Sequence, residues 1–217
     1  MPTRYSDRRA DAHNYKYLPK WGGRRQPLID KMDRGGFAVQ DCTIMTSRDG
    51  FHFNRSENAY MVPDIEREYN WCYSECYYSY GIVETEIDDY PGQYELSMYI
   101  GERYEYDYLR VIRCTVRLDG FYSWRGNRKG GTIISKPVKF DGEQLKINFK
   151  TSALGYLRIK ICDEDVNLIE GYDSKKLFGN SLERPVDFDK PLSEIAGKTV
   201  RLQFELSDAD LYSFIFE

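Results

Sequence analysis

The sequence predicts an all-β protein whose C-terminal half is an antiparallel β-sandwich, jelly-roll-like in its layout. Three observations lead there. From Phe37 onward the apolar residues recur with a period of two, as in strands with one buried face. Asp-Gly pairs at Asp49-Gly50, Asp119-Gly120 and Asp141-Gly142 separate the alternating runs, where a glycine supplies the positive φ of a tight reversal. Helical periodicity is confined to single turns, at Ser174 to Leu177 or at Leu192 to Ile195 after Pro191.

Taken in order, Cys42 to Ser47 and Phe51 to Asn54 form a hairpin across Arg48-Asp49-Gly50, and Tyr78 to Ile87 pairs with Tyr94 to Ile100. Hairpins spaced by about forty residues are what one propeller blade handing over to the next produces; the alternative is that these strands extend the sheets of the sandwich. Beyond them Ile112, Cys114, Val116 and Leu118 alternate with Arg113, Thr115 and Arg117. Leu145, Ile147 and Phe149 alternate with Lys146, Asn148 and Lys150, and Leu157, Ile159 and Ile161 with Arg158 and Lys160, with a break expected at Gly155. Val200, Leu202, Phe204 and Leu206 repeat the device, and Leu211 to Phe216 forms a last apolar strand. Strands with one apolar face must bury it, so two antiparallel sheets are expected to pack face to face. The expected domains are a basic, partly irregular arm over residues 1–36, propeller-blade-like strands over 37–110 and the β-sandwich over 111–217.

Composition narrows the function. The chain has 217 residues, enough for one large or two small all-β domains. A mean hydropathy of −0.66 with 30% charged residues and no apolar run of membrane-spanning length predicts no membrane partner. Met1-Pro2-Thr3-Arg4 does not open a signal peptide, and the five cysteines are odd in number and irregular in spacing, so a reduced, cytoplasmic setting is expected. The net charge of −4 divides unevenly. Residues 1–36 hold nine Lys and Arg against four Asp and Glu, about +5, which leaves about −9 for the rest. The arm's charges are spread among Tyr, Pro and Gly with no nucleic-acid motif, so it reads as a linker or surface wrap rather than a nucleic-acid contact.

No nucleophile elbow, phosphate loop or dinucleotide fingerprint is present, and no cofactor is expected. Cys72 and Cys76 lack the further ligands of a tetrahedral metal site and read as small buried hydrophobes; no metal is expected. Asp163-Glu164-Asp165 lacks the spaced oxygens of a calcium loop and reads as a solvated turn. The most site-like stretch runs from Tyr69 to Tyr80. Its Trp71, Tyr73, Tyr78 and Tyr80 offer flat apolar faces to sugar C–H groups, and Glu75 offers an acceptor for hydroxyls. A Tyr-rich strand with one packed and one wet face is the structural alternative.

The order of three motifs carries a family resemblance. Asp41-Cys42-Thr43-Ile44-Met45-Thr46-Ser47-Arg48-Asp49-Gly50-Phe51-His52-Phe53-Asn54-Arg55 is similar to the outer hairpin of a blade in five-bladed β-propeller glycosidases of the fructosidase and arabinosidase type. Arg113 to Ser123 with Ser135-Lys136-Pro137 resembles their propeller-to-sandwich crossing, and Ala209-Asp210-Leu211-Tyr212-Ser213-Phe214 their closing strand. The resemblance covers roughly residues 37–217. It implies carbohydrate as the partner and, for Glu75 beside Cys76, the place of a general acid in the fructosidase branch. Such enzymes need two carboxylates about the scissile bond. Most of a propeller is missing, so the expected role is binding or structural rather than catalysis by this chain alone. Two alternatives accompany it: a hydrolase component completed by another chain that supplies the propeller, and a homo-oligomer built through exposed strands.

Overall fold

The computed structural model describes residues 41–62, 76–79, 81–102 and 109–217. Their regular structure is antiparallel β-strand, with one 3₁₀ turn at Leu192–Glu194. The chain divides into two compact units between Thr115 and Val116, inside a strand.

In the first unit β1 (Cys42–Ser47) and β2 (Phe53–Met61) pair as the expected hairpin, with Ser47 opposite Phe53. The turn is held by its own side chains. The Asp49 carboxylate accepts the backbone N–H groups of Phe51 and His52 at 2.9 and 2.7 Å, Ser47 Oγ accepts the Gly50 N–H at 2.9 Å, and Gly50 takes φ +78°. Hydrogen bonds from the His52 backbone and ring, then from Phe51 and Ser47, hold the Asp49 carboxyl well below the usual carboxylate range.

A second sheet holds β3 (Tyr77–Tyr78), β4 (Val83–Ile87), β5 (Tyr90–Glu102) and β6 (Arg110–Arg117), each of the others pairing with β5. The expected run from Tyr78 to Ile87 is thus two strands, and its partner begins earlier, with Ile87 opposite Tyr90. The reason is a bulge: Gly92, at φ +79°, gives its N–H to the Glu86 carboxylate at 2.6 Å where the register shifts. Alternate residues of β5 serve opposite faces. Met98 and Ile100 are buried, while Ser97 and Glu95 join Thr85 in holding the Arg113 guanidinium at 2.8 to 3.0 Å. Arg113 therefore satisfies three cross-strand acceptors at once.

The second unit is a seven-stranded sheet organised by two 18-residue strands, β10 (Leu145–Cys162) and β13 (Thr199–Phe216). They pair along nearly their whole length, from Leu145 opposite Phe216 to Cys162 opposite Arg201. Shorter strands flank each half. β12 (Asn180–Val186) pairs the first half of β10 and β11 (Leu168–Asp173) the second; β7 (Trp124–Gly126) pairs the far end of β13, and β8 (Gly131–Ile134) and β9 (Val138–Lys139) the near end. Where the sequence reads as four strands, the structure has two continuous ones. Gly155 does not end a strand. It lies in the segment 152–155 that is extruded between Thr151 opposite Ala209 and Tyr156 opposite Ser207.

Side chains from both halves of this sheet enter one core: Leu145, Ile147, Phe149 and Leu211 from one, Leu157, Ile159, Ile161, Leu202, Phe204 and Leu206 from the other. The burial of β13 alternates without exception from Val200 to Leu206, as its sequence requires. Leu192 and Ile195, from the 3₁₀ turn that Pro191 starts, close the core's edge. The other candidate helix is extended instead, Ser174 N–H bonding to Ile159 O and Leu177 bridging to Leu157. The Asp119-Gly120 turn divides its labour differently from expectation. Asp119 takes the positive φ, +56°, whereas Gly120 is required for space, since a Cβ there would lie 2.3 Å from Arg117 Cγ and 2.7 Å from Arg117 O.

The polar face of the second half of β10 is paired with its neighbours. Arg158 makes a bidentate contact with Asp173 at 2.7 and 2.6 Å, and Lys160 binds Glu205. The Lys160 hydrogen bond holds the Glu205 carboxyl below its ordinary value. That pair therefore adds stability above the unfolded-state pKa and loses it as pH falls through the lowered folded value. We expect Glu205→Gln to reduce stability at pH 7 by less than about 1 kcal/mol, and the difference to shrink as pH falls below the ordinary glutamate range, as read from urea midpoints across a pH series. A constant difference across that range would remove the pair from the acid response.

Candidate functional site

Of the aromatic and acidic residues that the sequence singles out, Trp71, Tyr73, Glu75 and Tyr80 lie outside the described residues. Tyr78 is described. It stands on β3 opposite Ile100, and its hydroxyl is buried with no hydrogen-bond partner among the described residues. Burial, then the neighbouring Tyr60 and Cys42, push its phenol up. Cys76 is buried at φ +57°, and its carbonyl accepts the Cys42 thiol at 2.9 Å. Among the described residues Cys42, Cys114 and Cys162 are free thiols.

Other candidate clusters are structural. Asp163 accepts the N–H groups of Asp165 and Asn167 at 3.0 and 2.8 Å, so the acidic run is a self-capped turn. Arg117 donates to Asn180 Oδ1 and Ser181 O at 2.7 and 3.1 Å and lies 4.3 Å above the Tyr212 ring. Asn148, read from alternation as an outward polar residue, does point away from the core but is roofed over: its amide donates to Leu118 O at 2.8 Å. The network fastens the Leu118 turn across the strands.

Two clefts of the second unit are of a different kind. One, of about 450 Å³, lies between the segment following β11 and the segment following β12. Phe178 stands at its edge, 71% exposed, and Phe188 forms part of its wall. Lys175, Arg184, Asp187 and Asp189 line it, and among the described residues none of these side chains makes an ion pair or hydrogen bond. Asp173 also lines it but is held by Arg158. Folding explains the location. Ser174 and Leu177 are tied to β10, which drives the intervening Lys175 and Lys176 outward and leaves Phe178 no place in the core. Lys176 turns back over the Tyr156 ring at 3.7 Å.

The other cleft, of about 510 Å³, sits at the extruded segment of β10 and is lined by Arg128, Ser152, Ala153, Leu154, Ser207 and Asp208. Asp208 takes φ +45°, and Leu154 is 87% exposed. Neither cleft was legible as a site. The available signal was an apolar residue stranded in a polar, non-alternating segment, Phe178 between Lys175-Lys176 and Gly179, and Leu154 between Ser152-Ala153 and Gly155.

Comparison with protein-family models, with curated proteins and with solved structures finds no match. No helix among the described residues is long and apolar enough to cross a membrane.

Proposed function

We propose that the protein is a carbohydrate-binding all-β module, which holds glycans and does not by itself cleave them. The observation that carries this reading is the Phe178 cleft: an exposed aromatic face beside side chains of both charge signs that have no partner among the described residues. Sugar rings present apolar C–H faces to aromatic rings, and their hydroxyls both donate and accept, so they use carboxylates and guanidinium groups together. Asp187 and Asp189 are exposed to water, without the apolar enclosure that a glycosidase's general acid needs, and Asp173 is committed to Arg158. The resemblance of residues 37–217 to propeller glycosidases supports the same ligand class.

A glycan array probed with the intact chain, followed by calorimetry, tests the proposal. Phe178→Ala is expected to weaken binding about tenfold, the value of one lost stacking face. Trp71→Ala and Glu75→Gln, in the stretch from Tyr69 to Tyr80, report separately on the site read from sequence. Absence of binding to every glycan defeats the proposal.

A further inference from the structure

We propose that the Phe178 cleft and the Leu154 cleft are two subsites of one groove, whose ligand is an uncharged oligosaccharide of two or more rings. This rests on the carbohydrate reading above and extends it to ligand length and charge. The two clefts have no lining residue in common, but one hydrogen-bonded pair joins the segments that carry them. Thr151 N–H donates to Gly179 O at 2.8 Å and Gly179 N–H to Thr151 Oγ1 at 3.1 Å. Thr151 adjoins Ser152 of one cleft, and Gly179 adjoins Phe178 of the other. The backbone path from Phe178 across that pair to Leu154 is no more than about 20 Å, within reach of a short sugar chain.

The charges select the ligand's class. Lys175, Lys176 and Arg184 face Asp173, Asp187 and Asp189 in the first cleft, and Arg128 faces Asp208 in the second. With Asp173 neutralised by Arg158, three positive groups stand against two negative in the first cleft and one against one in the second, so neither is a strongly basic patch of the kind that attracts a polyanion such as a nucleic acid or a sulfated glycan. Lys175, Arg184, Asp187 and Asp189, of both signs and without ion pairs among the described residues, suit many hydroxyls. Each cleft also has one apolar residue set out in water, Phe178 and Leu154, as a platform for a ring face.

The test is a glycan array carrying mono- to pentasaccharide ladders of fructans, arabinans, xylans, glucans and galactans beside sulfated and uronate ladders, followed by calorimetry on the best ladder. Affinity is expected to rise about tenfold or more from the monosaccharide to the tetrasaccharide. Leu154→Ser, and separately Arg128→Ala, are expected to lower tetrasaccharide affinity about fivefold while leaving the monosaccharide unchanged, and both residues are exposed, so the variants fold. Equal affinity at every length, or tetrasaccharide binding that ignores both variants while Phe178→Ala abolishes it, overturns the shared groove and leaves the carbohydrate reading standing. Preference for sulfated or uronate ladders overturns the charge argument. No binding to any member overturns both readings.

Discussion

Replacing Phe149 by Ala is expected to cost about 3–5 kcal/mol of unfolding free energy. Phe149 is wholly buried, opposite Leu211 on one side and Ser181 on the other, and belongs to the core shared by both halves of the seven-stranded sheet. Truncation removes its transfer free energy and leaves a cavity walled by strands on both sides, which cannot collapse without breaking ladder hydrogen bonds. With a urea slope of about 2 kcal/mol/M, the midpoint falls by about 2 M. Phe178→Ala is the proper comparison, since that ring is in water and its loss is expected within about 0.5 kcal/mol. A loss below about 1 kcal/mol for Phe149→Ala would show that this residue does not hold the two halves together.

The same pair of phenylalanines shows which features could be read from sequence. Phe149 belongs to a period-two run, and periodicity alone marks it as core. The β1–β2 hairpin and the turn after Pro191 are equally legible, because Asp-Gly and Pro fix backbone angles locally. Continuity of strands is not local. Whether Leu145 to Lys150 and Leu157 to Ile161 are two strands or one depends on whether β13 follows the same bend, and that is decided by residues fifty positions away, at Ser207 and Asp208. Asn148 illustrates the same limit, since its alternation is right but the roof over it comes from Leu118. The Phe178 cleft was missed because it arises from residues that the core rejects. A search for alternation passes over them.

The bend itself rests on Gly155, and Gly155→Ala is expected to cost about 2–3 kcal/mol. Gly155 is buried where the extruded segment rejoins β13, and a Cβ there would lie 2.3 Å from Asp208 O and 2.8 Å from Ser207 O. Both obstacles are backbone atoms of the strand that pairs with it, so a rotamer change cannot make room. Relief requires β10 and β13 to separate at the place where the register shifts, with loss of the neighbouring pairing of Tyr156 with Ser207. Asp208 already holds a left-handed conformation, φ +45°, that an aspartate tolerates at modest cost, and a displaced carbonyl adds to that strain. Gly131→Ala separates this effect from general glycine entropy: no atom lies within 4 Å of its added Cβ and its φ is not in the left-handed range, so a change within about 0.5 kcal/mol is expected. Urea unfolding of the two variants side by side decides the matter. If Gly155→Ala is as mild as Gly131→Ala, the strands have slack at the bend. The Leu154 platform would then lack the fixed backbone on which a two-subsite groove depends.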